Sequence, residues 1–258
     1  MPIMVRNADG TYSRVAAVYA GENAVNTVCA GSDVVFSAAT PTPQDLPVKT
    51  GLVGIFEYGN FENGVWSNSV SGKSDFSDGA MYADNGCYIH PGHDYGARYQ
   101  VSGGDLTGEC TYYIVGCAKD EPPEYSRDKA VFLSSWWYGG MMIFCGNTRE
   151  GYPKRFIAMA YDYTNTAVDT GVAWNTPAVY AVTCKSGTMK VYVNGTLVGT
   201  SAVGVIHNDF VDIGSTIVSE TPGLGSRYKF IGIGTVEHTA AEIAENSAWL
   251  AQKYGIGV

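Results

Sequence analysis

Residues 188–200 read TMKVYVNGTLVGT. Val191 and Val193 alternate with Lys190, Tyr192 and Asn194, the period-two pattern of a half-buried strand, and Leu197 and Val198 resume beyond Asn194-Gly195. Asn-Gly suits positive φ at both central positions of a type I′ turn, so the stretch predicts a two-residue β-hairpin. Working outward, the same character fills the chain from Gly51 onward. GLVGIFEY, AMYADNGCYIHP, TYYIVGCAK, AVFLSSWWY, MMIFCG, RFIAMAYDY, AVYAVTCK, DFVDIGS and YKFIGIGTV are apolar or alternating runs divided by Gly, Asn, Asp, Ser and Pro. Roughly ten short strands at regular spacing predict an all-β chain folded as a two-sheet antiparallel sandwich.

One helix is expected at the end of the chain, over 239–254. Thr239-Ala240-Ala241-Glu242 has the spacing of a capping box, in which hydroxyl and carboxylate each satisfy a free N–H of the first turn. Ile243, Leu250 and Tyr254 form an apolar stripe flanked by Ser247 and Trp249, and Gly255 supplies the stop.

The first forty residues are organised differently. VYAGENAVNT (18–27) and VCAGSDVVFS (28–37) share a V-x-A-G-x-[ND]-x-V skeleton, and IMVRNADGTYSRV (3–15) is a looser relative. A repeat this short suits strand–turn–strand units, with turns at Asp9-Gly10, Gly21-Glu22-Asn23 and Gly31-Ser32-Asp33. So thin a ladder cannot bury both faces, and its apolar residues (Val18, Tyr19, Val28, Val35 and Phe36) are expected to lie on another surface. Residues 1–40 are therefore read as a β-repeat anchoring arm, and PTPQDLPVKT (41–50) as a stiff linker to a sandwich over 51–258.

Composition narrows the partners. The 258 residues carry a formal net charge of −9 without any cluster of Lys or Arg, which opposes binding to nucleic acid or an anionic membrane. No apolar run approaches a membrane span, and MPIMVRNADGTYSR lacks the apolar core of a secretory signal. Cysteines 29, 87, 110, 117, 145 and 184 include no CxxC pair and mostly sit in apolar runs, so buried reduced thiols are expected rather than a disulfide framework.

The order of these pieces resembles the concanavalin A-like, laminin-G-like jelly-roll family. GLVGIFEYGNFENGVWSNSVSG (51–72) is similar to the family's opening strand and tryptophan loop, and ECTYYIVGCAKD (109–120) to its early core strand. WNTPAVYAVTCKSGTMKVYVNGTLVGT (174–200) is similar to its block of Trp, strand, turn and strand ending in Y-V-N-G. DFVDIGS (209–215), YKFIGIGTVEH (228–238) and AAEIAENSAWLAQKYGI (240–256) complete the order. The closing WLAQKYGI and the VYAGENAV/VCAGSDVV arm resemble segments of bacteriophage structural proteins. That resemblance implies a virion protein made in the host cytoplasm, held to other virion proteins through residues 1–40 and forming a homo-oligomer. The family's lectin branch implies a glycan partner.

The candidate chemistry is sparse. Family members that cleave glucans place E-x-D-x-x-E on one strand, and no Glu here is followed two residues later by Asp, so catalysis by that route is not expected. His90, His93 and Asp94 in HPGHD form the nearest approach to a metal site, although Pro91-Gly92 makes the segment a turn and no further ligand pair follows. The sequence requires no cofactor. Loop oxygens of Asp75, Asp78, Asp84 and Asn85 are available to the calcium of the lectin branch, without an EF-hand-like loop. SSWWYGG places Trp136, Trp137 and Tyr138 in succession; in a strand one Trp faces the core and the other faces outward or lies under a loop. An outward Trp, or Trp66, would offer a sugar a ring to stack on, and packing beneath a neighbouring loop is the commoner fate.

Overall fold

The computed structural model describes the backbone of every strand and of the helix, with the side chains of residues 45–76, 81, 108–119, 143, 155–158, 167–203, 211, 213 and 225–257. The chain divides into two units between Asp45 and Leu46. The first holds β1 (Ile3–Arg6), β2 (Tyr12–Val15), β3 (Tyr19–Ala20), β4 (Asn23–Ala24), β5 (Thr27–Ala30) and β6 (Asp33–Ser37). These pair as three separate antiparallel two-stranded sheets, β1 with β2, β3 with β4 and β5 with β6. Val28 stands opposite Phe36, and Tyr19 opposite Ala24. Val18 and the side chains of Tyr19, Val28, Val35 and Phe36 lie outside the described residues.

The second unit is a mainly-β antiparallel sandwich with one C-terminal helix. Its strands are β7 (Leu52–Glu62), β8 (Val65–Asn68), β9 (Phe76–Ser77), β10 (Met81–Ala83), β11 (Cys87–Ile89), β12 (Ala97–Gln100), β13 (Glu109–Ala118) and β14 (Val131–Ser134). They continue as β15 (Met141–Cys145), β16 (Arg155–Ala160), β17 (Ala167–Ala173), β18 (Ala178–Lys185), β19 (Thr188–Val193), β20 (Thr196–Ala202), β21 (Phe210–Ile213) and β22 (Ser226–Gly234), and α1 (Ala240–Tyr254) follows. One hydrogen-bonded path, β17-β16-β15-β14-β21-β12-β9-β8-β7-β22-β13-β18-β19-β20, folds over on itself. The two layers are thus joined through β9 and β8 instead of being separate sheets. The stretch 80–91, expected as one strand, is the hairpin β10–β11.

The inner core lies between the layers. Tyr112, Ile114, Tyr180 and Val182 from one layer meet Ile143, Phe156, Val211 and Ile213 from the other. Alternate residues of the same strands (Tyr113, Val115, Val179 and Ala181) face the opposite way and are covered by Ile243, Leu250 and Ala251 of α1. The helix begins with the capping box: Glu242 N–H donates to Thr239 Oγ1 at 3.3 Å and Thr239 N–H donates to Glu242 Oε2 at 2.7 Å. It stops at Gly255, left-handed at φ 67°.

The opening hairpin explains how the helix seats. Asn194 and Gly195 have φ of 48° and 81°, the type I′ signature. Asn194 Oδ1 accepts from Val179 N–H at 2.9 Å, so the turn also pins the start of β18. A Cβ on Gly195 would stand 3.3 Å from both Ala244 Cα and Ser247 Cβ. The turn's glycine and the helix's small residues together allow the close approach.

Residues 46–50, read above as linker, belong to the sandwich. Leu46 is buried in the core beneath the helix, and Val48 exchanges hydrogen bonds with the Asn246 side chain at 2.9 and 3.0 Å. The Thr50 carbonyl receives His238 Nε2 at 2.8 Å. Because that carbonyl can only accept, Nε2 carries the proton, and Nδ1 accepts from the Tyr113 hydroxyl at 2.8 Å. Asn246 Nδ2 in turn donates to the Tyr113 oxygen at 3.1 Å. Burial pushes that hydroxyl well above the ordinary phenol range. Prolines made this segment look like a spacer, whereas Leu46 and the backbone of Val48 and Thr50 fasten it.

Candidate functional site

Among the described residues, the opening strand β7 carries the most distinctive surface. Phe56 pairs with Asn68 and Phe61 with Trp66, so Glu57, Tyr58, Gly59 and Asn60 stand opposite Ser67 alone. A bulge of this kind carries β7 out of the ladder. Its place beside β22 is taken by β11: Phe230–Gly234 pair with β7, while Ser226–Tyr228 pair with β11. At the changeover β22 has its own extra residue against β13, Lys229, between Tyr228 opposite Gly116 and Phe230 opposite Val115. That shift turns Tyr228 toward the inner core and Phe230 toward the helix.

The coincidence of two bulges brings Tyr58 and Lys229 together. The Lys229 ammonium lies 4.9 Å from the centre of the half-buried Tyr58 ring. Burial, and then Arg227 nearby, lower the Lys229 pKa from the usual lysine value. Asn60, exposed two residues beyond Tyr58, donates from Nδ2 to Ser69 Oγ at 2.9 Å. Glu57 turns the other way and accepts from Lys253 Nζ at 2.8 Å; that ammonium also lies 4.5 Å from the Trp249 ring. A partly exposed aromatic ring beside an ammonium, on a strand that also presents the exposed Asn60 amide, offers both a stacking face and hydrogen-bonding groups for a polyhydroxylated ligand.

Asn68 braces the bulge. Its Oδ1 accepts from Ile55 N–H at 2.9 Å and Val70 N–H at 3.0 Å, and its Nδ2 donates to the Val53 and Ser74 carbonyls, each at 3.1 Å. Asp75 Oδ1 accepts from Asn68 N–H at 2.7 Å. Asp75, one of the residues considered for calcium, thus helps to hold this turn through one carboxylate oxygen.

Trp66 is a core residue, which corrects its candidacy as a stacking platform. It is fully buried, its indole Nε1 donates to the Glu57 carbonyl at 2.6 Å, and its ring meets Phe56 edge-on at 6.0 Å. A ring enclosed on both sides has no face for a sugar. Trp174 is half-buried and packs against the same core. Trp136, Trp137 and Tyr138 fall between β14 and β15, and His90, His93 and Asp94 between β11 and β12; all six lie outside the described residues, as do Asp78, Asp84 and Asn85. Among the described residues no group of three or more His, Cys, Asp or Glu side chains is placed to hold a metal ion.

Two further carboxylates of the described surface are paired with lysines. Glu109 accepts from Lys185 at 2.9 Å, and Glu237 from Lys190 at 2.8 Å. The Lys185 hydrogen bond, with the Glu237 N–H, holds the Glu109 carboxyl below its usual range. Glu109 and Lys185 form a cross-strand ion pair, and Glu237 ties the segment after β22 to β19.

Sequence reasoning missed Tyr58, Asn60 and Lys229. A signal was present in FEYGNFENG, where Gly59 interrupts an otherwise strand-like run, a common mark of a bulge. Nothing comparable marks Lys229.

No family model and no curated protein sequence matches the chain. Solved structures do match in fold. A Trypanosoma rangeli sialidase aligns with a TM-score of 0.60 at 15% identity, over 82% of this chain and 34% of that one. Domain 4 of an extracellular arabinanase from Geobacillus stearothermophilus, solved with arabinotriose, aligns with a TM-score of 0.57 at 12% identity, over 76% of this chain and 98% of that domain. The binding domain of Paraclostridial Mosquitocidal Protein 1 gives 0.58 at 9% identity, over 77% of this chain and 52% of that one. The chain therefore spans about a third of the sialidase it matches. At these identities the likeness is one of fold.

Proposed function

We propose that the sandwich is a non-catalytic carbohydrate-binding module of the concanavalin A-like, jelly-roll type, with the double bulge around Tyr58 and Lys229 as its recognition surface. The observation that carries the reading is the fold shared with the arabinanase domain, which is matched over 98% of its length and was solved holding a sugar. Tyr58 would stack on one face of the sugar ring, while Asn60, Ser69 and Lys229 would address its hydroxyls. The absence of any E-x-D-x-x-E strand supports binding without cleavage.

Co-sedimentation of the full chain with a panel of insoluble polysaccharides tests this reading, arabinan and sialylated mucin included, with and without calcium. Retention on at least one without release of reducing ends is the expected outcome. Failure to bind any, or release of reducing ends, would count against it.

A second reading concerns residues 1–40. The three two-stranded sheets motivate an anchoring role, because an isolated hairpin is marginal in water and gains stability on another surface. In the virion setting that the sequence resemblance suggests, the arm would attach the module to a larger particle. Deleting residues 1–40 should abolish incorporation; normal incorporation of the shortened chain would end that reading.

A further inference from the structure

Two cysteines of the inner core occupy directly opposed positions. Cys110 on β13 is the register partner of Cys184 on β18. Both are free thiols, 0% and 1% exposed, and both belong to the inner core, so their side chains leave the same face of the layer. Directly opposed residues of antiparallel strands have Cα atoms about 4.5 or 5.5 Å apart, within the span that a disulfide bridges. A hydrogen bond with Cys110, and then burial, hold the Cys184 thiol well above its ordinary pKa, so the two sulfurs are already neighbours. Cys117 differs: it is half-buried, and its β22 partner is Arg227.

We propose that Cys110 and Cys184 form a disulfide site, closed by exchange with a small-molecule disulfide such as oxidised glutathione. One protein thiol loses its proton and attacks the small disulfide, expelling one thiolate and leaving a mixed disulfide. The second protein thiol, deprotonated in turn, attacks the protein sulfur of that intermediate and expels the other thiolate. The two protons end on the two released thiols, so two protein thiols are oxidised and one small disulfide is reduced. Burial keeps oxidant away from the folded pair, and closure therefore belongs to the moment when β13 and β18 first meet. The link would enclose β14, β15, β16 and β17, tying much of the second layer into one covalent loop and restricting the unfolded chain.

The test is refolding of the reduced full chain in a glutathione redox buffer, followed by alkylation and tryptic mapping. The expected product joins peptide 99–119 to peptide 156–185 with Cys117 alkylated. It should melt several degrees above the reduced chain, a shift that Cys184→Ala abolishes. Oxidised glutathione with urea below the unfolding midpoint, where transient opening parts and rejoins β13 and β18, should give the same peptide readout. Free thiols at both positions in both experiments, a link to a different cysteine, or a melting shift that persists in Cys184→Ala would overturn the proposal.

Discussion

The layer formed by β7, β22, β13 and β18 is buried on both faces, and the two faces are built on different principles. The inner face is filled by shape: Phe56, Trp66, Phe76, Tyr112, Tyr180 and Tyr228 interlock, with Phe56 edge-on to Phe76 at 4.5 Å. The outer face is apolar over much of its extent and hydrogen-bonded toward the end where β7 begins and β22 ends. There Thr111, Tyr113, His238 and Asn246 link the sheet, the helix and residues 46–50. Shape complementarity holds two layers together without fixing direction strongly. A fully satisfied buried polar network admits one arrangement, and it fixes where the helix lies and where the chain enters the sandwich.

Breaking each face should separate the two contributions. The largest loss is expected from Trp66→Ala, at about 3–5 kcal/mol in urea unfolding, because a fully buried ring leaves a cavity between rigid neighbours. Asn246→Leu keeps the branched shape but strands the Val48 backbone groups and removes the donor to Tyr113; a loss of roughly 2–3 kcal/mol is expected. The two should also differ in kind. Hydrogen exchange should rise across the whole sandwich in Trp66→Ala, and chiefly over residues 46–50 and α1 in Asn246→Leu.

Gly195→Ala sharpens the contrast at the contact between hairpin and helix. It forces a side chain to φ 81° and a Cβ to 3.3 Å from Ala244 Cα, so a loss of about 1–2 kcal/mol is expected by thermal unfolding. The smallest effect concerns pH. The Thr239 N–H and then its hydroxyl lower the Glu242 pKa in the folded chain, so its contribution is present above the ordinary carboxylate range and is lost as pH falls through the depressed value. The Tm difference between the unmodified chain and Glu242→Ala should therefore shrink on acidification. A difference that grows instead would show the carboxylate is not acting through the cap.

The features that were legible in sequence are those with local physics. The Asn194-Gly195 turn, the capping box and the stripe of Ile243 and Leu250 depend on neighbours within a few residues, and the structure realises each. Less legible were features created by partners distant in the chain. Some of the described strands of the sandwich, such as Phe76–Ser77 and Met81–Ala83, are too short to show alternation. Asn246 interrupts an apolar stripe as a polar residue would on an exposed helix, yet its partner Val48 lies 198 positions away. The candidate site is of this second kind. Tyr58 and Lys229 meet only because bulges in two strands coincide, and no spacing in the sequence expresses that.

The central claim is that this meeting point binds sugar, and the most direct measurement is a glycan array probed in parallel with the full chain and with Tyr58→Ala. The unmodified chain should bind a defined subset of glycans. Tyr58→Ala should bind the same subset about tenfold or more weakly, with an unchanged circular dichroism spectrum, since losing a stacked ring costs on the order of 1.5 kcal/mol. Equal binding by both chains, or no glycan bound by either, would contradict the account.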